Sequence, residues 1–137
     1  MLTMTIDTRL DAIKAWLFNH YNAKNFTIEP ASNDASFRRY FRVTIDNATM
    51  IVMDAPPEQE DTAPFIKVAQ FLAQHDIHVP EIIAKDSQNG FLLLTDLGTQ
   101  PYLHKLNSQS ASALYNDAID ALVNIQRCDP QSVTLPI

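Results

Sequence analysis

The residues best suited to chemistry in this sequence lie in Ser32-Asn-Asp-Ala-Ser-Phe-Arg-Arg-Tyr-Phe-Arg-Val43, where small, turn-prone residues run into an alternating apolar and basic strand. Small residues let backbone N–H groups come close to an anion, and arginines behind them offer planar, permanently charged donors. Together they suit a grip on phosphate. Arg38, Arg39 and Arg42 stand out because the chain has only 10 Lys plus Arg against 16 Asp plus Glu. Strand alternation places Arg38, Tyr40 and Arg42 on one face and Phe37, Arg39 and Phe41 on the other. Only one set can meet a ligand, and the pattern does not say which.

The elements that must position this stretch are legible from periodicity. Asp7 to Tyr21 reads as an amphipathic helix through Leu10, Ile13, Trp16 and Leu17, capped by Asp7. Phe26–Ala31 and Phe37–Ile45 read as strands joined by a turn at Ser32-Asn33-Asp34. Asp46-Asn47 makes a hairpin turn into a third strand, Thr49–Asp54, which Pro56-Pro57 ends. A second helix spans Thr62–His75, capped by Asp61 or Thr62, with Pro64 in its first turn. Glu81–Lys85 is a short strand, and the continuous apolar run Phe91–Thr95 is a buried central strand. Pro101–Leu106 is a short helical element, and Ser110–Arg127 is an amphipathic helix through Leu114, Ile119, Leu122 and Ile125. The fold class is α+β: a five-stranded antiparallel sheet with helices, laid out as a protein-kinase-like small lobe (residues 1–97), then a connector and the first helix of a large lobe (98–137).

Composition narrows the function classes. A net charge of −6 argues against general nucleic-acid binding, which needs a broad basic surface. No run of apolar residues is long enough to span a membrane. The N-terminus lacks the basic and apolar regions of a secretory signal, and one cysteine, Cys128, cannot form an internal disulfide, so a cytoplasmic protein is expected. Cys128 is expected as a buried or half-buried thiol. His20, His75, His78 and His104 lack metal-ligand spacing. Glu58, Glu60 and Asp61 suit the start of the second helix, with a metal site or a helix-borne ion pair as alternatives.

Three segments in this order, Ser32–Val43, Ile51-Val-Met-Asp-Ala-Pro-Pro-Glu58 and Leu93-Leu-Thr-Asp-Leu-Gly98, resemble the aminoglycoside phosphotransferase superfamily. The Met53–Glu58 stretch is similar to the cell-wall amino-sugar kinases within it. That resemblance implies an ATP- and Mg²⁺-dependent kinase acting on the anomeric hydroxyl of N-acetylmuramate or N-acetylglucosamine in peptidoglycan recycling. Other acceptors within the superfamily, and a non-catalytic nucleotide-binding or protein-interaction module, are the alternatives.

The resemblance also assigns residues. It puts Ser32, Asn33, Asp34, Ala35 and Ser36 over the nucleotide phosphates and Thr95, Asp96 and Leu97 at the adenine edge, with Val43, Ile51 and Leu93 as apolar walls. The third strand should carry a phosphate-binding lysine but reads Val52-Met53-Asp54, so Arg39 or Arg42 is expected to supply the charge, oriented by Asp54. The family's His-Gly-Asp catalytic loop and metal-binding Asp occur nowhere in this sequence. The chain is therefore expected to carry neither catalytic nor metal-binding residues, to be inactive alone, and to self-associate through the apolar face of Ser110–Arg127.

Overall fold

The computed structural model describes residues 6–22, 24–32 and 36–135. The elements follow the order α1 (Thr8–Tyr21), β1 (Thr27–Ser32), β2 (Arg39–Ile45), β3 (Ala48–Asp54), α2 (Ala63–Gln74), β4 (Ile82–Asp86), β5 (Phe91–Thr95), α3 (Tyr102–Lys105) and α4 (Ala111–Gln126), closed by a 3₁₀ turn at Pro130–Ser132. The five strands form one sheet in the order β1-β2-β3-β5-β4, so β5 is internal, as its unbroken apolar run requires. The α+β class and the kinase-like small-lobe layout expected from the sequence are present.

Two compact units divide the described chain. The first takes the chain up to Asp61 together with Ile83–Thr95, and the second takes Thr62–Ile82 with everything from Asp96 onward. The first unit contains nearly the whole sheet and α1.

Its core follows directly from strand and helix periodicity. Ile13 and Leu17 of α1 pack on Phe41, Val43 and Ile45 of β2, Val52 of β3, and Phe91 and Leu93 of β5, with Leu10 and Trp16 beside them. All of these strand residues share one face, because side chains alternate and the register pairs Phe41 with Val52 and Val52 with Leu93. The Trp16 and Phe91 rings lie 5.7 Å apart. Helix α1 thus closes one side of the sheet. Its ends are set as the sequence suggests: the Asp7 carboxylate accepts from the Leu10 N–H at 3.0 Å, and Asn22 adopts a left-handed conformation at the C-terminus.

The β2–β3 hairpin turns on Asp46 and Asn47, both with positive φ, the geometry of a tight turn that matches strand twist. Pro30 is tolerated because β1 is an edge strand, and the β1–β2 register slips between Pro30 and Ser32. Gly90 closes the β4–β5 turn at φ +76°, packed so tightly that a Cβ there would collide with the Ala55 carbonyl oxygen. Its own backbone exchanges 2.8 Å hydrogen bonds with Asp86 and Ala55.

In the second unit, Thr62 precedes α2 with Pro64 in the first turn, but its side chain makes no capping bond. Helix α4 has no buried residue: Tyr115, Ile119, Leu122 and Ile125 are all exposed. Cys128 is half-buried, its thiol directed at the Asn124 carbonyl oxygen. Among the described residues no helix is long and apolar enough to cross a membrane.

Candidate functional site

The consecutive arginines at the start of β2 point to opposite faces of the sheet, and their surroundings differ accordingly. Arg39 turns toward α1, with its guanidinium 5.2 Å from the Phe41 ring. Its Nε and Nη2 donate to Asp54 Oδ2 at 2.9 and 2.7 Å, and its Nη1 donates to Asp7 Oδ2 at 2.6 Å. The other oxygen of Asp54 accepts from Arg9 Nε and Nη2 at 2.8 and 2.6 Å. Arg9 Nη2 also donates to the Asn89 carbonyl of the β4–β5 turn at 2.6 Å, and its guanidinium stands 5.1 Å from the Phe91 ring. One carboxylate at the end of β3, 0% exposed, therefore ties together β2, α1 and the β4–β5 turn.

The physics of this cluster is that of a buried charge that must be fully paired. A desolvated carboxylate costs several kcal/mol unless its lone pairs are met, and removing one partner of such a pair costs about 3–5 kcal/mol. Asp54 meets that requirement with four charge-assisted donors. At the outer end, the Arg39 hydrogen bond and the Leu10 N–H hold the Asp7 carboxyl down to about 2. The Asp7 and Asp54 carboxylates in turn raise the Arg39 pKa, against the opposing effect of burial.

Arg38 points the other way. Its Nε donates to Glu60 Oε2 at 3.1 Å, and both side chains are half-buried. Its backbone N–H donates to Ser36 Oγ at 3.2 Å, which ties the end of the β1–β2 loop to the strand. Burial works against the Arg38 charge, but hydrogen bonds to Tyr40 and Glu60 prevail and raise its pKa. Glu60 is thus the partner of a strand arginine, which neither a metal site nor a helix-borne ion pair had anticipated. Among the described residues, no group of three or more His, Cys, Asp or Glu side chains is placed to hold a metal ion.

Comparison with known proteins settles the family. The model of the phosphotransferase enzyme family matches residues 27–137. The chain belongs to this family. Among its relatives, an N-acetylmuramate/N-acetylglucosamine kinase of Pseudomonas aeruginosa is 54% identical over 76% of this chain and 31% of its own length. The protein of the same name from Pseudomonas putida is 44% identical over 95% of this chain and 41% of its length, and that from Neisseria meningitidis 34% identical over 88% and 37%. The chain spans about a third to two-fifths of the length of these relatives.

Against this phosphotransferase frame, the structure distributes the expected site residues as follows. Ser32 ends β1 opposite Tyr40, and Ser36 receives the Arg38 N–H. Asn33, Asp34 and Ala35 lie outside the described residues. Arg42 sits in mid-strand between Glu29 of β1 and Ile51 of β3, on the face away from α1. Asp54 pairs with Arg39, on the α1 face. Thr95 ends β5 opposite Met50; Asp96 Oδ1 accepts from the Gly98 N–H at 2.9 Å in a tight turn, and Leu97 is exposed.

The expected apolar walls do not share a surface. Val43 and Leu93 are fully buried under α1, whereas Ile51 faces away from it, because alternation separates β3 position 51 from positions 50 and 52. Arg9 was not anticipated at all. Its signal was available: a cation in the first turn of a helix opposes the macrodipole, so a tertiary partner must hold it there.

Proposed function

We propose that this chain is the nucleotide-binding part of an ATP-dependent kinase that phosphorylates an amino sugar, N-acetylmuramate or N-acetylglucosamine, at the anomeric hydroxyl in cytoplasmic cell-wall recycling. The observation that carries this reading is the 54% identity, over 104 residues, to a protein named N-acetylmuramate/N-acetylglucosamine kinase, beside the family match over residues 27–137. ATP, bound with Mg²⁺, supplies the phosphoryl group; no residue of this chain is assigned to the metal or to the chemical step.

In this reading the loop Ser32–Ser36 lies over the phosphates. The backbone of Thr95, Asp96 and Leu97 meets the adenine edge with hydrogen bonds worth about 0.5–1.5 kcal/mol each. The arginines of β2 supply positive charge. Asp54 and Arg39 serve binding indirectly, by fastening the end of β3 and the start of β2 to α1 so that the loop springs from a fixed base. The open apolar face of α4 leads the chain, on its own, to self-associate.

Titration of the isotope-labelled chain with MgATP, followed by backbone amide shifts, tests the binding part. Shifts at Ser36–Arg39 and Thr95–Gly98 are expected, with no phosphate transfer to either sugar by ³¹P detection. Turnover by this chain alone would refute the assignment of the chemical step to other residues. No shift at millimolar MgATP would leave an interaction module as the better reading.

A further inference from the structure

The β4–β5 turn holds the one asparagine–glycine pair of the sequence, Asn89-Gly90. A glycine after asparagine leaves its amide nitrogen unshielded, because no Cβ stands between that nitrogen and the preceding side-chain amide carbon. Such a pair is prone to lose the side-chain amide. The Gly90 nitrogen gives up its proton to solvent base and bonds to Asn89 Cγ. The Cγ–Nδ2 bond then breaks and Nδ2 leaves as ammonia, closing a succinimide ring. Water opens the ring at either carbonyl, returning a proton to the nitrogen and leaving aspartate or isoaspartate.

Asn89 is exposed, yet its surroundings oppose this reaction. Both oxygens of the Asp86 carboxylate are turned on it: Oδ1 accepts from its backbone N–H at 3.1 Å and Oδ2 from Nδ2 at 2.8 Å. The attacking nitrogen is engaged as well, because the Gly90 N–H donates to the Asp86 carbonyl oxygen at 2.8 Å. Gly90 is buried against the Ala55 carbonyl oxygen, and the Asn89 carbonyl oxygen accepts from Arg9 Nη2 at 2.6 Å. Ring closure must free the Gly90 nitrogen and swing the Asn89 side chain off Asp86, so it waits on a local opening of the turn.

We propose that Asn89 is a covalent-modification site latched by Asp86: the closed turn keeps it an asparagine, and its conversion loosens the hold of this turn on α1. Aspartate at this position loses the Nδ2 donor and sets a like charge against Asp86. Isoaspartate lengthens the main chain by one methylene beside Gly90, where there is no room even for a Cβ. Either product disturbs the carbonyl that Arg9 holds and the start of β5, where the Phe91 ring meets Trp16 of α1 at 5.7 Å. None of this depends on nucleotide binding.

The test follows Asn89 over several days at neutral pH by peptide mass spectrometry, which reads amide loss and separates aspartate from isoaspartate. In urea above the unfolding midpoint, Asn89 should convert first among the asparagines and about ten- to a hundredfold faster than in the folded chain. Folded Asp86→Ala, which forfeits two hydrogen bonds, should convert about five- to fiftyfold faster than folded wild type. Asp86→Asn keeps one acceptor and should fall between, which preserves the test where the alanine variant does not fold. The converted chain, separated by its added charge, should unfold at lower urea by the Trp16 signal. Equal rates in folded and unfolded wild type would overturn the latch, as would folded Asp86 variants that convert no faster than wild type. First conversion at another asparagine would overturn the choice of site, and an unchanged urea midpoint of the converted chain would overturn its effect on α1.

Discussion

Replacing Asp54 by asparagine isolates what the buried carboxylate does. The side chain keeps its shape, but two guanidiniums lose their shared counter-charge and four charge-assisted hydrogen bonds at 2.6–2.9 Å. A fully buried pair broken from one side costs about 3–5 kcal/mol. The Arg9 and Arg39 side chains remain 30% and 42% exposed, so water can solvate part of the charge left behind. The expected loss therefore lies at the low end, about 3 kcal/mol. For a chain of 137 residues that is a fall in Tm of about 10 °C, at roughly 3–4 °C per kcal/mol.

Urea and thermal unfolding, followed by near-UV signals from Trp16 in the first unit, give the measurement. The double variant Asp54→Asn with Arg9→Met should lose less than the sum of the single losses, because each removes the other's unpaired charge. A loss below about 1 kcal/mol for Asp54→Asn, in the range of an exposed ion pair, would refute the claim that this carboxylate fastens the lobe.

Other consequences are smaller or more local. Because the folded Asp7 carboxyl is lowered from 3.8 to about 2, the stability it contributes is complete above its unfolded value and disappears as pH falls from about 4 to about 2. Screening at this largely exposed pair holds that contribution to roughly 1 kcal/mol, and Asp7→Asn should abolish this component of the acid sensitivity of unfolding. Gly90→Ala must push Ala55 aside and adopt a positive φ, so a loss of about 2–4 kcal/mol is expected in urea unfolding. Gly98→Ala, with open space around it, should show only the backbone strain of about 1 kcal/mol. Sedimentation of the chain at increasing concentration should reveal self-association that Ile119→Lys with Leu122→Lys removes, since both residues are more than half exposed.

How much of this was legible beforehand depends on the physics behind each feature. Helix α1 and strands β2, β3 and β5 followed from periodicity, because burial against a single partner face imposes a period that local sequence must carry. The Asp46-Asn47 turn and the Asp7 cap were equally local, each set by the geometry of a few adjacent residues. What periodicity could not supply was which face of β2 the helix would cover. Alternation divides Arg38 from Arg39 without naming the inside, and the choice is made by Phe41, Val43 and Ile45 continuing the Arg39 series. That series was visible, and following it to Ile45 would have placed Arg39 beneath α1 and removed Val43 from an open pocket. The Arg9–Asp54 contact joins residues 45 positions apart and has no periodic signature.

The two consecutive arginines show how one short sequence serves both faces of a sheet. Cations at the end of a sheet must be kept from unfolding it. Arg39 is so kept on the α1 face: together with Arg9 it neutralises Asp7 and Asp54, so this edge of the core carries balanced charge and its hydrogen bonds are internal. Its exchange for lysine would not be conservative, since a point charge cannot reach both carboxylates with the same planar fork. Arg38 lies on the opposite face, where its Nε donates to Glu60 at 3.1 Å. If the sheet paired its strands one residue out of register, both arginines would exchange faces and roles at once. The bulge at Pro30–Ser32 lies where such a slip would begin, directly before the loop, and β2 keeps its register there through unbroken pairing with β3 from Arg39–Asp54 to Ile45–Ala48.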